Sequence, residues 1–173
     1  MGRNERIARV VLVAAAPFIA FGVAAVAQAQ EVVSILNQKE WSVAGVGIGT
    51  DEYATCAATD ALHADASIWL QVTETPSQGT VNEVSVMHPG EVQATAAVLQ
   101  VGADRFVLVA TSGDSFFATA DEGGKIVAAM LKAATLTLQF EGVSPAKPYG
   151  YDLAEFPKAY AALVQHCRAP ANP

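Results

Sequence analysis

The chain has few basic side chains, few histidines and few cysteines, and each shortage removes a class of function. Ten lysines and arginines stand against seventeen aspartates and glutamates in 173 residues, a net charge of −7. Such a surface repels nucleic acid and anionic lipid. The three histidines, His63, His88 and His166, are scattered without HxH or HExxH spacing, so no metal site is expected from them. Cys56 and Cys167 do not form a CxxC pair, and no GxSxG elbow occurs. Ser112-Gly113-Asp114-Ser115 reads instead as a hairpin loop. Asp51-Glu52, and Asp60 with Asp65, lack the alternating ligands and central glycine of a calcium loop and read as solvated surface. Gly45, Gly47 and Gly49 run into Thr50-Asp51-Glu52 rather than a helix. They suit a bulge or close packing in an edge strand better than a dinucleotide loop. No catalytic residue and no cofactor is therefore expected.

What is present begins with an address. Arg3, Arg6 and Arg9 precede a nearly unbroken apolar run over residues 10–26, and Ala27-Gln28-Ala29 has the small-x-small form of a secretory cleavage site. The competing reading, a permanent membrane anchor, is the weaker, because Pro17 and Gly22 interrupt the run and its end is small and polar. No cysteine adjoins the site, which argues against lipid anchoring. Residues 1–29 are thus expected to be a cleaved signal peptide, 30–168 a single domain and 169–173 a flexible tail, with no membrane span left after cleavage. Cleavage would remove three arginines and Glu5, leaving seven basic and sixteen acidic side chains, net −9. In an exported domain, Cys56 and Cys167 are most simply a structural disulfide closing a long loop. A redox or metal pair is the alternative, with His166 beside Cys167 its one attraction.

The organising stretch is residues 94–120. Gly102-Ala103-Asp104 and Ser112-Gly113-Asp114 divide it into three short apolar pieces, at 98–101, 106–110 and 116–118, which read as an antiparallel meander. Further strands are expected at 41–48, 53–58, 67–73, 81–88 and 134–142, with an edge piece at 147–153 beside Pro145 and Pro148. Residues 37–40 read as a lead-in. A short helix is expected from Asp121, as its cap, to Lys132, with Ile126, Val127, Met130 and Leu131 as its buried stripe. A second begins near Ala154, with Pro157 in its first turn, and sets Phe156, Tyr160, Leu163 and Cys167 on one face. Cys167 on that face would reach Cys56 on a strand. The fold class is mainly β: an antiparallel β-sandwich with one short helix and a C-terminal amphipathic helix.

The order of several motifs resembles the invasion-associated locus B family. Asn82-Glu83-Val84-Ser85-Val86, Gly102-Ala103-Asp104-Arg105-Phe106-Val107-Leu108 and Ile126-Val127-Ala128-Ala129-Met130 carry the likeness. So do Trp41-Ser42-Val43 with Cys56 at the start, and Tyr151-Asp152-Leu153, Phe156, Ala162-Leu163 and Cys167 at the end. The likeness spans residues 38–168. The chain departs from it at Glu155, where a glycine is common, at Val81, where arginine is common, and in having no second cysteine pair. The resemblance implies an exported β-sandwich of alphaproteobacterial type, periplasmic or extracellular and open to outer-membrane association, from a family named for host-cell entry. It implies no enzymatic activity.

Two functions are compatible with these readings. One is a non-enzymatic interaction protein with a protein partner in the envelope or on a host cell. The other is a small-ligand-binding module with an apolar cavity lined by Trp69, Phe106 or Phe116. Alternation sets Trp69 opposite Ile68, Leu70 and Val72, which makes it a candidate interaction surface. If the C-terminal helix covers that side, Trp69 is core, and this is the stronger reading.

Overall fold

Alternation with period two dominates the chain, and strands are what it forms. The computed structural model describes residues 31–38, 40–47, 53–60, 68–88, 94–112, 114–143 and 147–167. The expected leader and tail, His63, Gly49, Asp51, Glu52, Asp65 and Gly113 lie outside them. The strands are β1 (Glu31–Asn37), β2 (Trp41–Gly47), β3 (Tyr53–Asp60), β4 (Trp69–Thr75), β5 (Thr80–Met87), β6 (Ala96–Val101), β7 (Asp104–Ser112), β8 (Ser115–Phe117), β9 (Thr135–Glu141) and β10 (Tyr149–Asp152). Helix α1 spans Ala120–Met130 and α2 spans Phe156–Cys167.

All ten strands belong to one antiparallel sheet in the order β1-β2-β3-β4-β5-β8-β7-β6-β9-β10. The mainly β class and both helices are as expected. The two layers, however, are halves of one continuous sheet, because the short strand β8 bonds to β5 on one side and β7 on the other. The sheet curls until opposite ends of its strand order meet: Trp41 Nε1 on β2 donates to the Asp152 carbonyl on β10 at 3.0 Å. A twisted sheet of this width must curl or split to bury its apolar face.

The inner face is the core. Val43, Ala58, Val72 and Val84 are cross-strand partners in one row, and Val101, Leu136 and Tyr151 form another. Trp41, Leu70, Val86, Leu99, Leu108, Phe116, Leu138 and Phe156 are fully buried between them. At about 25 cal/mol per Å² of apolar area, burial on this scale is the main force that folds the chain.

Four local expectations change. Asn37, read as the start of a lead-in, instead ends the strand β1, which the sequence reading did not include. Thr119, not Asp121, precedes the first turn of α1, and its hydroxyl donates to Glu122 Oε2 at 3.2 Å. Leu131 is exposed, and Gly123 takes its place on the buried stripe. The glycines of β2 do not lie on an edge strand, although a bulge does interrupt the ladder between Val46 and Gly47.

Gly123 is required by contact. A Cβ on it would overlap the carbonyl oxygen of Asn82, whereas at Gly124 the nearest atom is Asn82 Nδ2, 3.9 Å away. Gly123→Ala should therefore lower stability by about 1–3 kcal/mol, because backbone must move. Gly124→Ala should raise it by about 0.5–1 kcal/mol, because the helix loses a flexible residue. Urea midpoints of the two variants check this; equal shifts would contradict the packing of α1 on β5.

Candidate functional site

Among the described residues, two clusters tie distant elements together, and an outer face of the sheet carries apolar side chains. The first cluster surrounds the disulfide. Cys56 on β3 and Cys167 at the end of α2 are bonded, with a Cα–Cα distance of 5.9 Å across 111 positions of sequence. Both cysteines are buried. Phe156, Ala159, Leu163 and Cys167 form the buried face of α2, so the helix lies on the inner side of the sheet; Tyr160 is half-buried.

Glu74 is the cross-strand partner of Cys56 and is 1% exposed. Its Oε1 accepts the Asn82 backbone N–H at 3.1 Å. Asn82 adopts the left-handed region, φ 55°, which asparagine tolerates better than most residues. Its Oδ1 accepts the Tyr160 hydroxyl at 2.8 Å. One asparagine thus touches β4, α1 and α2 with its N–H, its carbonyl and its side chain.

The second cluster lies where the sheet ends meet. Trp41 packs edge-on against Phe156 at 4.8 Å, and Glu155 Oε2 accepts the Glu40 backbone N–H at 3.3 Å. Glu155, a departure from the resemblance noted above, thus bridges α2's entry to β2. Asp60 is 2% exposed, so it is not the solvated carboxylate expected from its neighbours in sequence. Tyr151 is buried with it. Burial first, then the charge of Asp60 and the neighbouring Tyr149, holds the Tyr151 phenol above the usual tyrosine range.

Trp69 is half-buried and lies on the outer face, since Leu70 and Val72 point inward. The expectation that α2 would cover it is overturned: α2 packs on the opposite face, over Cys56 and Trp41. Trp69 pairs with Met87, and in the adjoining strands Phe117 pairs with Val109, which is 49% exposed. Phe116 is fully buried on the inner face, so Trp69 cannot line one cavity with it.

His88 stands edge-on to Phe140 at 5.5 Å and His166 is exposed at the end of α2. Among the described residues, no group of three or more His, Cys, Asp or Glu side chains could hold a metal ion. Among them, too, no helix is long and apolar enough to cross a membrane. No protein-family model, curated protein or solved structure matches the chain.

Of the residues singled out from sequence, the cysteines come together and Trp69 stands apart from them. Glu74 and Asn82 were missed. A buried glutamate cannot be told from an exposed one by its position in a polar-looking strand end.

Two outcomes follow. Replacing both Cys56 and Cys167 by alanine should cost about 3–5 kcal/mol in urea unfolding, since closing a loop of this length restricts the unfolded chain. A loss below about 1 kcal/mol would show that α2 holds its place without the link. Alkaline stability depends on Tyr151. An unfolded tyrosine loses its proton near pH 10, while the folded phenol keeps it, so stability falls as pH rises above about 10. The slope from this group is at most about 1.4 kcal/mol per pH unit, and Tyr151→Phe should flatten it in pH-dependent unfolding.

Proposed function

We propose that the chain is an exported, non-enzymatic protein of the invasion-associated locus B type that acts by binding another protein in the envelope or on a host cell. The observation that carries this reading is the outer-face surface of Trp69, Met87, Phe117 and Val109, which lies on the side of the sheet opposite α2. Half-buried aromatics beside an exposed valine are what a protein-binding surface offers. The buried disulfide supports an oxidising compartment. The inner face favours no small ligand, because Trp41, Phe116 and Phe156 fill it.

The test is crosslinking in intact cells from a photoreactive residue at Val109. A partner other than a second copy of this chain is expected, with at least about tenfold less adduct for Trp69→Ala. Recovery of uncrosslinked chain only, or an adduct indifferent to Trp69, would overturn the assignment.

A further inference from the structure

A mild oxidant attacks sulfur first, and the sulfur of this chain lies in two cysteines and three methionines. Most of it is out of reach. Cys56 and Cys167 are bonded to each other and buried, so neither offers a thiolate. Met130 lies on the buried face of α1 and is 0% exposed. Met1 belongs to the segment expected to be cleaved.

Met87 differs from all of these. Alternation from the buried Val84 and Val86 sets it on the outer face, where it is half-buried. Its directly opposed neighbours are Trp69 on β4 and Ser115 on β8. Opposed Cβ atoms stand about 5 Å apart, so the indole is within reach of a thioether–aromatic contact. On the other side, serine is too short to cover a methionine. The accessible thioether thus lies in the midst of the outer apolar surface, which Phe117 and Val109 continue.

We propose that Met87 is a redox modification site, at which hydrogen peroxide converts the thioether to its sulfoxide in the folded protein and turns this surface polar. The sulfur lone pair attacks one peroxide oxygen as the O–O bond breaks. That oxygen stays on sulfur, which is oxidised; the other leaves as hydroxide and takes the remaining proton to give water, the reduced product. The S–O dipole must stay hydrated, so apolar surface is lost while the inner core is untouched. The modification stands apart from the function proposed above. Its consequence, a weaker hold on a partner, rests on that reading.

The experiment treats the folded full chain, as its expressing cells process it, with hydrogen peroxide and follows it by peptide mass spectrometry. Met87 should gain one oxygen at least about tenfold faster than Met130. In urea, which exposes both, the two should react alike. Retention on a hydrophobic-interaction column should fall on oxidation, and should fall without oxidant in Met87→Gln. Met87→Leu, of similar volume, should keep its retention through the treatment. Equal rates in the folded chain, a preference that persists in urea, or retention indifferent to the sulfoxide would each overturn the proposal. Crosslinking from Val109 separates the two readings, since oxidation should cut the adduct at least about fivefold. No adduct from the untreated chain overturns the binding role alone, whereas an adduct unmoved by the sulfoxide overturns the effect of oxidation on binding.

Discussion

The constraint on which the rest depends is the attachment of α2 to the inner face of the sheet. A ten-stranded sheet has two large faces, and an unsupported sheet of that width would expose one apolar surface entirely. Curling brings Trp41 to Asp152, but it leaves the inner side of β2, β3 and β4 in need of cover. Phe156 fills one end of that space against Trp41, and Cys167 closes the other by bonding Cys56. The covalent bond acts mainly on the unfolded chain, by holding ends of the domain together. The apolar contacts between those ends act on the folded one.

Around this attachment, buried polar groups tie neighbouring elements to one another. Asn82 is the clearest case. Its left-handed backbone turns its N–H to Glu74, its side chain to Tyr160 and its carbonyl to the bare backbone of Gly123. Burying a carboxylate such as Glu74 costs energy unless its oxygens are hydrogen-bonded, so its bond to Asn82 belongs to the fold rather than ornamenting it. The same holds at the other end, where Asp60 and the neutral Tyr151 phenol lie buried together. These groups add specificity to a core that burial alone would leave less sharply defined.

What could be read from sequence follows from what sequence encodes locally. Turn residues at Gly102-Ala103-Asp104 and the alternation of Leu136, Leu138 and Phe140 revealed the meander and β9, because period and punctuation belong to the strand itself. The pairing of Cys56 with Cys167 was legible because only two cysteines exist. The strand β1 was not, since Val32-Val33 and Ile35-Leu36 are apolar doublets without alternation. Thr119 and Glu122 have the spacing of a capping box, which the neighbouring acid Asp121 obscured, though their bond joins side chain to side chain. Trp69 shows the deeper limit. Alternation divides a strand into two faces correctly, yet nothing in the strand says which face a helix some ninety residues later will cover.

That limit also bears on function. Core side chains and α2 occupy the inner face, so the binding role proposed above falls to the outer one. There the side chains are not uniformly polar: Trp69, Met87, Phe117 and Val109 lie on one outer surface of a chain with a large excess of acids. Exposed apolar groups favour sticking, while net charge opposes indiscriminate sticking through long-range repulsion. The two together select for partners whose surface fits and whose charge does not repel. On the function proposed above, an acidic background around an apolar centre would serve as a means of discriminating between partners.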